Sequence, residues 1–274
     1  MHAMRQRRFG PLATQVPIVG LGTWNMDRDD ARAAAAALAR GVELGLTHLD
    51  TAEMYGNGSC EQLVGKVLAG VRDKVFLVSK VLPKHASHAA TLRACEASLQ
   101  RLGTDHLDCY LLHWRGNEPL AETFRAFEEL VQQGKIRSWG VSNFDEADLA
   151  EALAIVGPGK IACNQVLYHL GERAIEHRVL PWCEQHGVAV VAYSPFGSGR
   201  FPRSKVLDEH AARLGATPRQ LALAFLARRT FAIPKSSSAA HVEELAHEVA
   251  IDDAAVAAIE AAFPLAPYRG LPSL

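Results

Sequence analysis

Short apolar runs alternate with longer stretches of helical periodicity along most of the chain. The apolar runs are continuous instead of alternating with polar residues, which is typical of parallel strands covered on both faces. Gly, Pro and Asp positions separate the two kinds of segment, as expected at element ends. Residues 9–12 predict a tight turn, and strands are predicted at 18–21, 47–50, 75–81, 107–112, 136–141, 161–164, 188–192 and 231–233. Helices are predicted at 31–44, 59–70, 90–102, 119–133, 145–155, 173–186, 205–214, 218–228, 241–249 and 253–262.

The order of these elements predicts an α/β fold. Eight strands, each followed by a helix, occupy about 250 residues without a linker or a change in composition. This number of units and this length are typical of a (β/α)8 TIM barrel. A short N-terminal β-hairpin around residues 9–12 would precede the barrel, and extra helices would follow at the C-terminal end. We therefore expect one (β/α)8 barrel domain that spans residues 1–274.

Composition narrows the functional classes. The 274 residues carry a net charge of −1, with 49% hydrophobic and 22% charged residues. This indicates a soluble globular protein and argues against binding to nucleic acid or to a membrane surface. The five cysteines are isolated, which favours reduced packing residues over disulfides or a zinc site. The basic start at 1–9 lacks the apolar core of a secretory signal, and no apolar run approaches the roughly 18 residues of a membrane span. A cytoplasmic location is predicted.

Four polar residues lie at or just beyond the ends of predicted strands: Asp50, Tyr55, Lys80 and His113. The C-terminal ends of barrel strands converge on one rim, so these side chains are expected to meet there. A buried Asp50 needs a cation, which Lys80 would supply. The ammonium of Lys80 would also lower the pKa of the Tyr55 phenol, while His113 would hydrogen-bond a substrate oxygen. We therefore predict that Tyr55 delivers a proton to a carbonyl oxygen that is becoming an alkoxide.

Each of these residues also has an ordinary structural interpretation. Asp50 alone could cap a turn, and Tyr55 alone could be a packing residue. Lys80 could be solvated, and His113 could be a satisfied core histidine. Their convergence at one rim favours the functional interpretation. The sequence offers neither a nucleophile nor a metal-binding cluster beside them, so hydride would have to come from a cofactor.

Several short motifs, in order along the chain, resemble those of the aldo-keto reductases. They are the segment 47–59 around Asp50 and Tyr55, the lysine at position 80, Leu-Leu-His-Trp at 111–114, Gly-Val-Ser-Asn-Phe at 140–144, Ala-Tyr-Ser-Pro at 192–195 and Ile-Pro-Lys-Ser at 233–236. The resemblance covers residues 9–262. It implies the (β/α)8 fold and an NAD(P)H-dependent oxidoreductase that reduces aldehydes and ketones to alcohols, with Tyr55 as the proton donor.

Carried over position by position, the resemblance implies a catalytic tetrad of Asp50, Tyr55, Lys80 and His113. The resemblance also implies contacts with each part of the cofactor. Ser142, Asn143 and Gln165 would bind the nicotinamide carboxamide, Tyr193 would stack on the nicotinamide ring, and Ser194, Pro195, Phe196 and Ser198 would lie along the pyrophosphate. Lys235, Ser236 and Ser238 would bind the adenosine 2′-phosphate and Glu244 the adenine, and the further cofactor residues would be Gly22, Thr23, Ile233 and His241. The implied substrate pocket is formed by Trp24, Tyr55, Leu82, His113 and Trp114.

Two positions depart from the family pattern. His241 stands where an arginine commonly helps to bind the 2′-phosphate, and Leu245 stands where an asparagine often lies beside the adenine. A largely neutral imidazole cannot make the bidentate contact of an arginine, which weakens the predicted preference for NADPH. The predicted cofactor is therefore NADPH, with some use of NADH. The tail at 266–274 and the loop at 114–118 are short, which predicts an open pocket. The predicted partner is a small-molecule carbonyl substrate, with no metal, nucleic acid or membrane, and we expect a monomer.

The sequence leaves two other functions open. A nucleotide-sensing binding protein with little turnover, like the channel-associated β subunits that resemble this family, would keep the cofactor residues, and the intact tetrad argues against it. A barrel metallohydrolase would use Asp50 and His113, and the lack of an His-x-His pair or an acidic cluster at strand ends argues against that function. The natural substrate depends on pocket loops that residue types alone do not define.

Overall fold

The structure of the chain is a computed structural model that describes residues 4–273. Residues 1–3 and 274, the ends of the domain predicted for 1–274, lie outside the described residues. Within 4–273 the strands are β1 (Gln6–Arg8), β2 (Gln15–Pro17), β3 (Leu21–Gly22), β4 (His48–Asp50), β5 (Phe76–Val81), β6 (Cys109–Leu112), β7 (Trp139–Ser142), β8 (Ile161–Leu167), β9 (Ala189–Tyr193) and β10 (Phe231–Ile233). The α-helices of the same residues are α1 (Ala31–Glu43), α2 (Ser59–Leu68), α3 (His88–Leu102), α4 (Leu120–Gln132), α5 (Glu146–Val156), α6 (Val179–His186), α7 (Lys205–Arg213), α8 (Pro218–Leu226), α9 (Ala239–Leu245) and α10 (Asp253–Ala262).

Strands β3 to β10 form a parallel barrel in which the order of the strands follows the order of the chain. Each strand pairs in parallel with the next one along the sequence. The barrel closes where the backbone N–H groups of Gly20 and Gly22 donate to the carbonyl oxygens of Ala232 and Pro234, at 2.8 and 2.9 Å. Helices connect the successive strands, so the predicted (β/α)8 architecture is confirmed.

Strands β1 and β2 form the predicted antiparallel hairpin ahead of the barrel. Its turn carries Phe9, which is fully buried and whose ring centroid lies 4.8 Å from that of Phe76 and 5.0 Å from that of Phe231. Phe76 and Phe231 begin β5 and β10, so Phe9 closes the N-terminal end of the barrel. Gly10 follows with a φ of 58°, and a Cβ there would lie 2.1 Å from the carbonyl oxygen of Ala162, so this close approach requires glycine.

Local capping signals account for where several helices begin. Asp30 precedes α1, and its carboxylate accepts a hydrogen bond from the N–H of Ala33 at 2.8 Å. Thr217 and Gln220 form a reciprocal capping box at the start of α8, with Pro218 in the first turn. These contacts satisfy N–H groups that a helix leaves without partners. Among the helices of residues 4–273, none is both long and apolar enough to cross a membrane.

The helix predicted at 173–186 is wrong in its first half. The chain forms a 3-10 turn at Ala174–His177 and only then α6, and the intervening Arg178 has a non-helical φ of −140°. The guanidinium of Arg173 donates to the carbonyl oxygen of Phe263 at 2.6 Å. This bond ties the start of the segment to the C-terminal part of the chain, and such tertiary contacts override helical periodicity.

Several other element ends differ from the prediction by a few residues. β8 continues to Leu167, whereas the sequence predicted an end at 164. α9 begins at Ala239 and ends at Leu245, whereas the sequence predicted 241–249. These shifts leave the order and type of the elements unchanged, as expected from the low accuracy of predicted boundaries.

Alternate residues of the barrel strands face the barrel interior. Phe76 and Val78 of β5 belong to the apolar interior cluster, and Lys80 continues the same face towards the C-terminal end. Near the N-terminal end the interior is apolar except for the buried imidazole of His48, whereas Asp50, Lys80 and Gln165 bring buried polar groups to the C-terminal end. This alternation gathers most of the buried polar side chains of the barrel interior at one rim.

Candidate active site

The four predicted catalytic side chains meet at the C-terminal rim. Asp50 is the last residue of β4, Lys80 is the penultimate residue of β5, and His113 directly follows β6. Tyr55 lies in the loop after β4, at the start of a 3-10 turn. Nζ of Lys80 lies 2.5 Å from Oδ1 of Asp50 and 3.2 Å from the hydroxyl oxygen of Tyr55. The ring centroids of Tyr55 and His113 are 5.7 Å apart.

Lys80 is the central residue of this group. Its side chain is fully buried, and Nζ donates to Oδ1 of Asp50, to the carbonyl oxygen of Thr51 at 2.8 Å and to the hydroxyl of Tyr55. Burial alone would lower the pKa of Lys80, but the neighbouring Asp50 and Tyr55 raise it overall. The ammonium is therefore charged at neutral pH and has an acceptor for each of its three protons.

Asp50 has a partner on each carboxylate oxygen. Oδ1 binds Lys80, and Oδ2 accepts a hydrogen bond from Nε2 of Gln165 at 2.7 Å. Burial raises the pKa of Asp50 overall, although the contacts with Lys80 and Gln165 favour its ionised form. The buried ion pair is thus held in place by hydrogen bonds from β8 as well as β5, which is what a buried charge pair requires.

The pKa of Tyr55 differs from the prediction. The sequence predicted that Lys80 would lower this pKa, but burial raises it above its ordinary value by more than Lys80 lowers it. The prediction was wrong in sign because it left out the loss of water around the phenolate. The phenol therefore keeps its proton at neutral pH, and Lys80 is placed to stabilise the phenolate that forms if the proton leaves.

The loop that carries Tyr55 is held from both sides. The carboxylate of Glu53 accepts hydrogen bonds from the backbone N–H of Leu82 at 2.7 Å and from the His85 ring at 3.0 Å. After Tyr55 the chain turns through a left-handed residue, Gly56, where a Cβ would lie 2.2 Å from Oγ of Ser59. The Glu53 hydrogen bonds hold the loop beside the end of β5, and the tight space at Gly56 leaves no room for a side chain there, so the position of the phenol is restricted.

His113 is a neutral imidazole in this environment. Its backbone N–H donates to the carbonyl oxygen of Val81 at 3.0 Å, and its ring meets Tyr55 edge-on at an interplanar angle of 76°. Burial and, to a smaller extent, Lys80 lower the pKa of His113 to about 2. A neutral ring donates one hydrogen bond from one nitrogen, so His113 can bind a carbonyl oxygen without offering a second charge to the site.

A cavity of about 420 Å³ opens above the tetrad. Tyr55 and His113 line it, whereas Lys80 lies buried beneath. The other predicted residues that line it are Gly22, Thr23, Trp24, Asp50, Trp114, Ser142, Asn143, Gln165, Tyr193, Ser194, Pro195, Phe196, Ser198, Ile233 and Lys235. The structure therefore brings most of the predicted catalytic, cofactor and substrate residues around one space.

Four residues of the cavity wall were not predicted: Asn25, Met54, Gly199 and Pro234. Each is a direct neighbour of a predicted residue in the chain, so adjacency was the available signal. Asn25 carries a further signal that only coordinates show, because its φ is 64°. Among residues 4–273, five non-glycine residues have a positive φ, and the four that line this cavity are Asn25, Asn143, Ser194 and Ser198. Such conformations are uncommon and cluster at functional sites.

Besides the buried Lys80, five predicted residues lie outside the cavity wall. Leu82 does not line it, because the chain turns away after β5 and the N–H of Leu82 binds Glu53. Ser236, Ser238, His241 and Glu244 lie beyond Lys235, in the turn before α9 and in α9 itself. The hydroxyl of Ser238 caps α9 by accepting from the N–H of His241 at 3.5 Å. Their cofactor roles stay predictions.

One wall of the cavity is suited to an amide-bearing planar ring. The hydroxyl of Tyr193 donates to Oδ1 of Asn143 at 2.9 Å, and Nδ2 of Asn143 donates to the carbonyl oxygen of His113 at 3.1 Å. These bonds hold the Tyr193 ring beside Ser142 and Gln165 at the cavity wall. The amide nitrogen of Gln165 donates to Asp50. The amide oxygen of Gln165 is therefore left as an acceptor for an amide N–H. A nicotinamide fits this donor and acceptor set.

The described residues give no support to a metal centre. Residues 4–273 contain no group of three or more His, Cys, Asp or Glu side chains that could hold a metal ion. Asp50, which a metallohydrolase would use, has both oxygens engaged by Lys80 and Gln165. The arrangement matches a buried proton-donating group better than a ligand set.

Comparison with known proteins agrees with this geometry. A protein-family model described as the Aldo/keto reductase family matches residues 18–263. The chain is 47% identical over 260 residues to the methylglyoxal reductase YeaE of Escherichia coli (strain K12), which covers 91% of this chain and 92% of that protein. A crystal structure of an aldo/keto reductase from Klebsiella pneumoniae in complex with NADP and acetate is 44% identical, with a TM-score of 0.92 over 99% of this chain and 100% of that one. An aldo-keto reductase from Klebsiella pneumoniae in complex with NADPH is also 44% identical, with a TM-score of 0.91 over 100% of both chains. The chain belongs to the aldo/keto reductase family.

Proposed function

We propose that this protein is an NADPH-dependent reductase of aldehydes and ketones in which Tyr55 is the proton donor. The observation that carries the proposal is the hydroxyl of Tyr55 at the cavity wall, 3.2 Å from the buried ammonium of Lys80 and beside His113. Family membership makes the chain an oxidoreductase that acts on carbonyl groups. The tetrad supplies the proton that such a reduction needs.

The cofactor assignment rests on the cavity wall and on the Klebsiella pneumoniae structures that hold NADP and NADPH. When bound, the cofactor would supply hydride to the carbonyl carbon. Ser142, Asn143 and Gln165 would bind the carboxamide, and Tyr193 would stack on the ring, so that one face is presented to the substrate. His241 in place of the common arginine weakens the preference for NADPH, so some use of NADH is part of the proposal.

The substrate carbonyl oxygen would lie between Tyr55 and His113. The imidazole donates a hydrogen bond to that oxygen and orients it, and the ring stays neutral at physiological pH because the pKa of His113 is about 2. As negative charge develops on the oxygen, the Tyr55 hydroxyl transfers its proton to it. Lys80 lies 3.2 Å from the phenolate oxygen that remains, and Asp50 keeps Lys80 charged and oriented. The products would be the alcohol, the oxidised cofactor and a Tyr55 phenolate, which takes up a proton from solvent before the next turnover.

The substrate class is proposed to include small 2-oxoaldehydes such as methylglyoxal. The support is the 47% identity with a methylglyoxal reductase over most of both chains. The cavity also admits larger carbonyl compounds, because Trp24 and Trp114 at its rim each remain 38% exposed and do not cover it.

The test is the oxidation of NADPH with methylglyoxal, other aldehydes, ketones and sugars, followed by the loss of dihydronicotinamide absorbance and repeated with NADH. We expect multiple turnover with at least the reactive aldehydes, and a larger kcat/KM with NADPH than with NADH. Tight binding of NADPH without multiple turnover on any carbonyl would contradict the proposal and favour a nucleotide-sensing binding protein.

A further inference from the structure

A carboxylate from the loop between β3 and α1 reaches across to the segment after β10. Oδ2 of Asp29 accepts hydrogen bonds from Nζ of Lys235 and from the hydroxyl of Ser237, although these partners are 206 and 208 residues away in the chain. Asp29 directly follows the 3-10 turn Met26–Arg28. The hydrogen bonds from Lys235 and Ser237 lower the pKa of Asp29, so its carboxylate is ionised at neutral pH.

This pair matters because of where Lys235 lies. Among residues 4–273, Lys235 is the only lysine or arginine that lines the cavity. It therefore supplies the positive charge that an anionic group at this end of the cavity would meet first. In the structure that charge is already neutralised by Asp29. The side chains of Lys235 and Asp29 are 32% and 31% exposed, and ion pairs with such exposure are weak enough to be exchanged for another anion.

We propose that Asp29 is a specificity-determining residue that competes with the adenosine 2′-phosphate of NADPH for Lys235 and Ser237; this inference rests on the proposed function. A 2′-phosphate carries close to two negative charges near neutral pH. To reach Lys235 it must displace Asp29 or share the lysine with a nearby carboxylate that repels it. NADH carries no such phosphate and leaves the pair intact. Asp29 thereby narrows the preference for NADPH over NADH.

The test compares Asp29→Asn with the wild-type chain by isothermal titration of NADP⁺ and NAD⁺ at low ionic strength. Because the Asp29 side chain is partly exposed, the substitution is expected to leave the fold intact. The matched control is Asp30→Asn, which removes the same charge one residue away, where the side chain only caps α1 and asparagine caps equally well.

The two variants should differ in a defined way. We expect Asp29→Asn to lower the Kd for NADP⁺ about fivefold and to change the Kd for NAD⁺ less than about twofold. For Asp30→Asn we expect changes below about twofold for both nucleotides. Added salt should reduce the fivefold effect, because it screens the charges that produce it.

Two results would overturn the inference. Equal changes for NADP⁺ and NAD⁺ in Asp29→Asn would show that Asp29 does not discriminate by the 2′-phosphate. Weaker binding of NADP⁺ would show that Asp29 holds Lys235 in place for the phosphate instead of competing with it. If the wild-type chain binds neither nucleotide, the proposed function fails, and this outcome is distinct from the first two because it is seen before any substitution is made.

Discussion

Lys80→Met removes the buried ammonium of the tetrad and keeps a side chain of similar length. In the structure Lys80 is fully buried and binds Asp50, Thr51 and Tyr55. The substitution therefore has two consequences that can be separated. It leaves the carboxylate of Asp50 buried without its cation, and it removes the positive charge next to the phenol.

The expected loss of stability follows from the burial of Asp50, and the expected loss of kcat follows from the distance between Lys80 and Tyr55. Breaking a buried ion pair by removing one partner costs about 3–5 kcal/mol of the free energy of unfolding, and Asp50 is 1% exposed. Lys80 and the Tyr55 oxygen are 3.2 Å apart. At that separation an ammonium and a phenolate attract each other by about 5 kcal/mol at an effective dielectric constant of about 20. Loss of this attraction corresponds to about three to four powers of ten in kcat.

The double variant Asp50→Asn/Lys80→Met separates these effects. We expect denaturant unfolding to show that the double variant recovers most of the stability that Lys80→Met loses, because no charge is left buried alone. Steady-state assays should still show kcat reduced by at least about 10³, because the phenolate has no cation beside it. A double variant whose kcat returns to within about tenfold of the wild-type value would refute the role assigned to Lys80.

Three further results are expected. Burial lowers the pKa of His48 from 6.5 to about 3, so below about pH 6.5 the unfolded chain binds a proton that the folded chain does not. The free energy of unfolding therefore falls as the pH drops, by up to about 1.4 kcal/mol per pH unit. His48→Leu should reduce this fall, measured by denaturant unfolding between about pH 7.5 and 5, and an unchanged slope would contradict the assignment. His241→Arg should lower the Kd for NADPH more than that for NADH in equilibrium titrations, and equal effects would show that position 241 does not face the 2′-phosphate. Because burial raises the pKa of Tyr55 and lowers that of His113 to about 2, kcat for reduction should stay flat from about pH 6 to 9, and a transition centred near pH 7 would be inconsistent with both assignments.

Most of the site could be predicted because all (β/α)8 barrels share the same arrangement of strands and helices. When eight parallel strands alternate with helices and close into a barrel, the C-terminal ends of all eight strands share one rim. Asp50, Lys80 and His113 could therefore be placed together from their positions at strand ends, although they lie on three different strand–helix units of the chain. The polar residues at 142–143, 165 and 193 follow from the same argument, since each ends a strand, follows one or lies within one at the rim.

What could not be predicted depends on long-range contacts and on burial. Asp29 gives no local signal for its partner, because Lys235 is 206 residues away. The segment before α6 begins beside Arg173, whose guanidinium binds the carbonyl oxygen of Phe263, 90 residues away in the chain. The pKa of Tyr55 needed the balance between burial and the charge of Lys80, and the sequence identifies only the second of these. The family resemblance implied that Leu82 lies in the pocket wall, but the local turn after β5 leads it away.

Proton donation by Tyr55 is tested most directly by Tyr55→Phe, which deletes one oxygen atom and leaves Lys80 its contacts with Asp50 and Thr51. The measurement is kcat with methylglyoxal or another reactive aldehyde, together with the Kd for NADPH from equilibrium titration. If Tyr55 is the proton donor, kcat falls by about 10²–10⁴ while the Kd for NADPH changes less than about twofold. Turnover within about tenfold of the wild-type rate, with NADPH still bound, would contradict it.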